Sequence, residues 1–226
     1  MKYAEKKFLI SYGRTKARKL TPNQQRLFDE LLPKIQISLK NPALGWQNQS
    51  AETWLEIGFG DGGHLAHQAR NNPNVNFIGC EPFINGAVKL LREIEDNNLQ
   101  NIRIYTGDVR DLLEKTPENS ISRIFILNPD PWPKTKHHKR RLIQKPLLDL
   151  LEKVLQPEGM LRIATDDEDY AFWILKEFMN HPKFLWTVRS KADWQNDPDD
   201  HIKTKYQKKA FKEGRKNIFI EYKLLG

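Results

Sequence analysis

Short apolar runs alternate with amphipathic stretches from Thr53 onward, and this alternation constrains the fold more than any other feature of the sequence. Five runs follow one another in this order: TWLEIG, VNFIGC, IRIYT, SRIFIL and MLRIAT. The intervening residues 84–98 and 143–155 have the periodicity of helices with one apolar face. Strands and helices that alternate in this way predict a doubly wound α/β fold, in which a mostly parallel sheet carries helices on both faces.

Two further apolar runs lie near the C-terminus, at 184–189 and 217–223. No clear helix separates them, so we expect them to pair as an antiparallel edge and to complete a seven-stranded sheet. At the other end of the chain, the pattern that begins at Thr21 and Pro22 is a helix capping box. We therefore expect two parts: a basic arm and a capping helix in residues 1–50, and one domain in residues 51–226.

The charge balance indicates a polyanionic partner. The chain has 37 Lys and Arg against 29 Asp and Glu, which gives a formal net charge of +8. This surplus favours nucleic acid, although charge alone does not distinguish RNA from an anionic membrane. No apolar run approaches the roughly 20 residues that would span a bilayer, and the first residues contain no apolar signal core. A soluble, cytoplasmic protein without a membrane partner is expected.

The single cysteine, Cys80, excludes an internal disulfide and any zinc site made of clustered cysteines. Because it lies within an apolar run, we expect a buried strand residue rather than a nucleophile. His137 and His138 are adjacent, but no acid or histidine follows at a ligand spacing, so no metal site is expected.

A glycine-rich segment joins the first strand to the next helix. It reads Glu56-Ile57-Gly58-Phe59-Gly60-Asp61-Gly62-Gly63. Glycines at this turn let a nucleotide approach the backbone closely, so Gly58 and Gly60 are candidate cofactor contacts. The same spacing satisfies the G-x-G-x-x-G dinucleotide fingerprint, which leaves an NAD-dependent oxidoreductase open as an alternative. No residue suited to hydride transfer is evident.

Three acids follow three successive predicted strands, and they favour S-adenosylmethionine as the cofactor. Glu56 precedes the first glycine, where a pyrophosphate gains nothing from negative charge but an ammonium group does. Glu81 can accept hydrogen bonds from both ribose hydroxyls, and Asp108 can accept one from the adenine amino group. The carboxyl ends of parallel strands open onto one crevice, so the three carboxylates are expected to converge there. Any one of them alone could instead be a helix N-cap.

A proline-rich turn follows the fourth predicted strand. It reads Asn128-Pro129-Asp130-Pro131-Trp132-Pro133-Lys134 and continues into a basic run that ends at Arg141. Three prolines in five residues predict a rigid, non-helical turn that displays Asp130 at a fixed angle beside the crevice. A fixed carboxylate beside a cofactor is a candidate catalytic group. Amino-methyltransferases carry the shorter pattern N-P-P-Y at this position, which suggests methyl transfer to a base.

The turn and its basic run resemble the signature of bacterial tRNA (guanine-N7-)-methyltransferases, which are class I S-adenosylmethionine-dependent enzymes. The matching residues are Pro129-Asp130-Pro131-Trp132, Lys134 and His138-Lys139-Arg140-Arg141. The resemblance extends through essentially the whole chain and includes Arg14 and the helix start at Thr21. It implies a class I methyltransferase sheet, tRNA as the partner, and methylation of a variable-loop guanosine, at position 46, to 7-methylguanosine.

The same resemblance implies roles for individual residues. It places cofactor contacts at Glu56, Glu81, Asp108 and Asp130, and it makes Asp130 the catalytic residue. It places substrate contacts at Lys134, Asp166, Thr204, Lys205, Tyr206 and Gln207, so tRNA is expected near residues 132–141 and 201–216. The family usually has Glu where this chain has Gln207. Since a carboxylate can accept both adjacent N–H groups of guanine and an amide only one, base recognition shifts toward Asp166 or Asp130.

Guanine N7 already has a lone pair and no proton, so its methylation depends on positioning rather than on a general base. A fixed Asp130 would stabilise the positive charge that develops on the purine, and Trp132 or Tyr206 is expected to stack on the base. A catalytically silent RNA-binding protein is a further alternative, which Gln207 leaves open. The sequence indicates no obligate protein partner and allows a monomer or a homodimer.

Overall fold

The computed structural model describes residues 18–40, 51–203 and 205–226. Within these residues, seven strands form one sheet: β1 (Thr53–Ile57), β2 (Asn76–Cys80), β3 (Ile102–Tyr105), β4 (Ile121–Leu127), β5 (Leu155–Thr165), β6 (Phe184–Trp186) and β7 (Ile218–Leu224). The α-helices are α1 (Pro22–Arg26), α2 (Leu32–Ile35), α3 (Gly63–Asn71), α4 (Ile84–Asp96), α5 (Val109–Lys115), α6 (Lys145–Val154), α7 (Glu168–Phe178), α8 (Lys191–Gln195) and α9 (Lys205–Lys212). A π-helical turn (Leu27–Leu31) joins α1 to α2, and a 3₁₀ helix (Thr135–Arg140) follows β4.

The sheet has the strand order β3-β2-β1-β4-β5-β7-β6. Strands β1 to β5 are parallel, whereas β7 runs antiparallel to both β5 and β6. The structure therefore confirms the predicted mostly parallel, seven-stranded sheet with antiparallel pairing at one edge. The antiparallel strand itself lies second from that edge, and the short strand β6 closes it.

The prediction that no helix separates the last two strands is wrong. Helices α8 and α9 both lie between β6 and β7. Helix α8 has only five residues and begins with a capping box formed by Ser190 and Asp193. Helix α9 consists mostly of lysine and other polar residues. Both helices are short, so neither gives the sustained apolar pattern that identifies longer helices in a sequence.

The predicted capping helix docks on the same face of the sheet as α3 and α4. Its capping box is present, with the backbone N–H of Gln24 donating to the Thr21 hydroxyl. Leu27 and Leu32 are buried in a cluster with apolar residues of α3 and α4. Arg26 pairs with Glu95 of α4 at 2.6 Å. The apolar face predicted for this helix therefore lies against the domain rather than in solvent.

Apolar side chains fill both sides of the sheet. One cluster lies between the strands and α5, α6 and α7, and the other lies under α3 and α4. Cys80 is buried in β2, as predicted. Among the described residues, none of the helices combines the length and the hydropathy that crossing a bilayer requires.

Candidate active site

The carboxyl ends of four parallel strands lie side by side. Ile57 at the end of β1 pairs with Cys80 of β2 and with Ile126 of β4, and Cys80 pairs with Tyr105 of β3. Each strand is followed by one segment that the sequence singled out. The structure thus brings Glu56, Glu81, Asp108 and Asp130 to one edge of the sheet, where parallel sheets bind their ligands.

The glycine-rich segment forms a tight loop between β1 and α3. Gly58, Gly60 and Gly62 all have positive φ angles, of 73°, 59° and 78°. A β-carbon at Gly58 would meet no atom within 4 Å, so the backbone is open on that side. A β-carbon at Gly86 of α4 would instead overlap the carbonyl oxygen of Gly60. The loop is therefore packed tightly against α4 and open at Gly58, which suits close approach of a ligand to the backbone.

Glu81 fastens this loop to the end of β2. Its two carboxylate oxygens accept hydrogen bonds from the backbone N–H groups of Gly60 and Phe83, each at 2.9 Å. Burial raises the pKa of Glu81, and the negative charges of Asp130 and Glu56 raise it further, while the two N–H groups oppose the rise. Glu81 therefore lies in an acidic environment to which Asp130 and Glu56 contribute.

Glu56 has a partner that the sequence analysis missed. Its carboxylate lies 2.7 Å from Nδ1 of His64, and both side chains are almost completely buried. The amide nitrogen of Gln68 lies 3.3 Å from the other ring nitrogen. With Nδ1 donating to Glu56 and Nε2 accepting from Gln68, the imidazole holds the Glu56 carboxylate in one orientation. Only the eight-residue spacing across the glycine loop could have pointed to this pair.

Asp108 is the N-cap of α5, and its carboxylate accepts from the backbone N–H of Arg110 at 3.0 Å. The Arg110 guanidinium contacts both carboxylate oxygens, at 2.9 and 2.5 Å. Asp108 therefore has the N-cap role that the sequence also allowed for each of the three acids at the strand ends. Asp108 is nevertheless close to the crevice, since it follows β3, whose last residue Tyr105 pairs with Cys80 at the end of β2.

Two observations test whether these residues suit the cofactor that the sequence favours. Asn128 follows β4 with a φ of 52°, and its buried amide oxygen and nitrogen have no hydrogen-bond partner among the residues that the structure describes. Buried amide groups are rarely left unpaired, so this side chain is suited to a polar ligand. The open backbone at Gly58 and the acids around it add acceptors for hydroxyl and amino groups. The residues fit S-adenosylmethionine.

Asp130 lies exposed at the centre of the proline-rich turn. The next residue but one, Trp132, has a φ of 46°, which is unusual for a bulky side chain. The Arg140 guanidinium lies 5.0 Å from the Trp132 ring, and the His137 ring meets it edge-on at 5.9 Å. The turn is therefore held in a strained conformation by the 3₁₀ helix that follows it.

Arg141 limits the expectation that tRNA binds near residues 132–141, where exposed basic side chains would contact its phosphates. Its side chain is 1% exposed, so it cannot reach a phosphate on the surface. The three lysines of the run, Lys134, Lys136 and Lys139, are exposed. The predicted phosphate contacts are therefore restricted to the lysines and the partly exposed Arg140.

Gln207 lies inside the protein rather than on its surface. It is 6% exposed, its amide oxygen accepts from His201 Nε2 at 2.6 Å, and its amide nitrogen donates to Asp197 at 2.6 Å. Burial lowers the pKa of His201, which favours the neutral ring as the donor. Both ends of the Gln207 amide are thus engaged inside the protein, in line with the expectation that base recognition shifts toward Asp166 or Asp130.

The other expected substrate residues are only partly described. Asp166 accepts from Arg215 Nε at 2.9 Å, so its carboxylate is already paired. Lys134 is exposed at the start of the 3₁₀ helix. Thr204, Arg14 and residues 41–50 lie outside the described residues, as do the side chains of Lys205 and Tyr206 in α9.

The segment from Asp197 to Gln207, here called the C-terminal strap, is attached to the sheet by charged groups. The Asp200 carboxylate contacts Arg162 of β5 at 2.5 Å and Arg123 of β4 at 3.1 Å. Its backbone carbonyl accepts from Gln68 of α3 at 2.7 Å. The rings of His201 and His64 lie 5.7 Å apart, so the strap reaches the partner of Glu56.

Comparisons with known proteins agree with this geometry. A family model described as “Putative methyltransferase” matches residues 50–220. The tRNA (guanine-N(7)-)-methyltransferase of Ruegeria sp. is 41% identical over 226 residues, which cover 93% of this chain and 86% of the relative. The solved 16S rRNA methyltransferase KamB covers 79% of this chain and 90% of its own, with a TM-score of 0.55 and 11% identity. A Streptococcus mutans methyltransferase in complex with SAH covers 77% and 89%, with a TM-score of 0.50 and 12% identity. The two structures show the fold alone.

Proposed function

Because the chain belongs to the family of tRNA (guanine-N7-)-methyltransferases, it is a methyltransferase of guanine N7 in tRNA, and we propose that S-adenosylmethionine is its cofactor and guanosine 46 of the variable loop its target. Family membership removes the oxidoreductase alternative. The observation that carries the proposal is that Glu56, Glu81 and the glycine-rich loop meet at the carboxyl ends of β1 and β2, where Glu81 accepts from the backbone N–H of Gly60. The proposed site of action is the cytoplasm.

We assign the cofactor-binding roles to the acids at the strand ends. Glu81 accepts from the ribose hydroxyls, Glu56 faces the ammonium group, and Asp108 accepts from the adenine amino group, with Gly58 and Gly60 supplying close backbone contacts. His64 keeps the Glu56 carboxylate oriented, and Arg110 does the same for Asp108. When bound, S-adenosylmethionine supplies a methyl group on a positively charged sulfur.

Asp130 is the catalytic residue of the proposal. Guanine N7 needs no base to become a nucleophile, so the protein has to position the purine and stabilise the positive charge that methylation creates. Asp130 is exposed toward a substrate and is held on a rigid turn beside the cofactor residues. Its carboxylate therefore meets the developing charge without having to move.

The exposed lysines supply the proposed contacts with tRNA. They lie on the turn and 3₁₀ helix, at Lys134, Lys136 and Lys139, and near the C-terminus, at Lys203, Lys212 and Lys216. Contacts of this kind bind phosphates and weaken as salt rises. Asp166, with its Arg215 partner, is a candidate for recognition of the base. We propose residues 51–226 as the methyltransferase domain, with 1–50 as its N-terminal addition, acting as a monomer or homodimer.

The proposal is tested by incubating purified protein with methyl-labelled S-adenosylmethionine and an unmodified tRNA transcript, followed by nucleoside analysis. We expect the label in 7-methylguanosine. A matched transcript with adenosine at position 46 should take up no label. The guanosines that remain in it are not targets under the proposal. Label in both transcripts would contradict the choice of target. Cofactor binding without any label would favour the silent RNA-binding alternative.

Cofactor affinity is expected to fall as the pH drops, because Glu81 has a raised pKa. A raised pKa means that Glu81 takes up a proton at a higher pH than an ordinary glutamate, and the protonated carboxyl accepts fewer and weaker hydrogen bonds from hydroxyls. Glu81→Gln should bind about tenfold or more weakly at neutral pH. Its affinity should also change less than that of the wild type between about pH 8 and pH 5. Calorimetric titration across this range measures both effects.

Loss of the fold is not expected to cause this pH dependence. Protonation of an acid whose pKa is raised in the folded state removes a buried charge, so the contribution of Glu81 to stability grows at low pH and is lost as the pH rises through its pKa. Thermal unfolding at each pH separates the two effects. Identical pH profiles of affinity in the wild type and Glu81→Gln would contradict the role assigned to Glu81.

A further inference from the structure

We propose that Arg141 is a positioning residue for Asp130, which it serves by fastening the proline-rich turn to α7. The proposal rests on the function proposed above. Arg141 Nε donates to the carbonyl oxygen of Pro131 at 2.9 Å, and Pro131 directly follows Asp130. The Arg141 side chain is 1% exposed. Although it ends a run of basic residues, it contacts the protein interior instead of solvent.

The other side of the guanidinium is held by α7. Its Nη2 pairs with Asp169, and its central carbon lies 5.0 Å from the ring of Tyr170 and 5.0 Å from the ring of Trp173. The two rings are fixed in turn by Ile143, whose N–H donates to the Tyr170 hydroxyl and whose carbonyl accepts from Trp173 Nε1. The cation therefore lies in a preformed aromatic and acidic site that leaves it one orientation.

The turn needs an external attachment of this kind. Proline has no backbone N–H, so Pro129, Pro131 and Pro133 remove three donors with which the turn could otherwise fasten itself. Trp132 has a left-handed φ of 46°, a conformation that persists only where the surroundings enforce it. Proline keeps its backbone carbonyl, so the turn can still accept a hydrogen bond at Pro131. Arg141 makes that contact at Pro131, between Asp130 and Trp132.

A positioning role predicts a different kinetic effect from a role in phosphate binding. A small displacement of a catalytic group lowers the rate of the bound complex, whereas loss of a phosphate contact weakens tRNA binding and its dependence on salt. Lys139 lies two residues earlier on the same run and is exposed. It provides a matched control, because it has the same charge and none of the buried contacts.

The test compares Arg141→Lys with Lys139→Ala under identical conditions. For Arg141→Lys, which keeps the charge but loses the planar fork, we expect kcat to fall by about tenfold or more, with KM for tRNA, its salt dependence and cofactor affinity within about twofold of the wild type. For Lys139→Ala we expect the reverse: a raised KM, a weaker salt dependence and an unchanged kcat. A raised KM without a change in kcat in Arg141→Lys would overturn the proposal.

A double-mutant cycle shows whether Arg141 acts through Asp130. In an Asp130→Asn background, Arg141→Lys should lower the single-turnover rate by less than about twofold, because the group that it positions is already lost. Independent, multiplicative effects would overturn the proposal. If Arg141→Lys does not fold, Trp173→Phe takes its place, since it keeps an aromatic ring but removes the hydrogen bond to Ile143 and part of the surface that faces the guanidinium. A smaller fall in kcat is then expected, and an unchanged kcat would overturn the proposal.

Hydrogen exchange provides a readout that needs no methyl transfer. Amides in residues 128–134 should exchange about tenfold or more faster in Arg141→Lys than in the wild type, while those of β1 and β4 keep their protection. Lys139→Ala should leave the exchange of residues 128–134 unchanged. Unchanged exchange in Arg141→Lys would overturn the attachment itself. A wild-type protein that does not methylate tRNA would overturn the proposed function and leave this measurement valid.

Discussion

Asp130→Asn is expected to lower the single-turnover rate of methyl transfer by about 100-fold or more, the loss that follows removal of one preorganised electrostatic contact in an active site. The substitution keeps the size of the side chain and removes only its charge. Because Asp130 is exposed, the free energy of unfolding should change by less than about 0.5 kcal/mol. Rapid-quench kinetics with saturating cofactor and tRNA, together with thermal unfolding, measure both quantities.

Glu118→Gln is the matched control for Asp130→Asn. Glu118 is an exposed acid that precedes β4, at the opposite end of the same strand, and its replacement should change neither rate nor stability. Cofactor affinity in Asp130→Asn should persist, because Glu81, Glu56 and the glycine loop are unaltered. A near-normal single-turnover rate in Asp130→Asn would remove Asp130 from the mechanism and move charge stabilisation to another group.

Gly86→Ala is expected to weaken cofactor binding by at least about tenfold and to lower the melting temperature. The added methyl group would overlap the carbonyl oxygen of Gly60, which belongs to the loop between β1 and α3. Helix propensity acts in the opposite direction, since alanine is favoured over glycine in a helix by about 1 kcal/mol. Overpacking costs about 1–3 kcal/mol, so the steric effect should prevail. Calorimetric titration and thermal unfolding measure the outcome.

Lys89→Ala separates the steric effect from helix propensity. Lys89 lies one turn further along α4 and is exposed, so its replacement by alanine introduces no overlap. We expect normal cofactor affinity and stability in that variant. A Gly86→Ala protein that binds the cofactor normally and melts at a higher temperature would show that α4 moves away from the loop, and that Gly60 tolerates the shift.

The parts of the fold that depend on local patterns could be predicted from the sequence. The five apolar runs became β1 to β5, because a buried parallel strand needs a short continuous apolar segment wherever it lies. The acids at the strand ends converged for the same reason, since parallel strands of similar register end together. Helix α8 was missed because a capping box and five mostly polar residues carry no periodic signal.

The parts of the site that depend on distant contacts could not be predicted. Arg141 lies in the same basic run as the exposed lysines, so the local sequence does not distinguish it from them. Only its partners on α7, Asp169 and Trp173, make it a buried residue. The pairing of Glu56 with His64 and the internal hydrogen bonds of Gln207 arise in the same way. A basic run or an amide in a sequence shows which groups are available, but the folded chain decides which of them face solvent.

The contact between Gln207 and Asp197 restricts how the strap can vary. Their side chains lie 2.6 Å apart, with the amide nitrogen donating to the carboxylate. A glutamate at position 207 would place two carboxylates against each other, which is unfavourable unless one is protonated or replaced. An acid at position 207 is therefore favoured by a neutral or basic residue at position 197, so the two positions are expected to covary. Natural variation at either one is informative about the other.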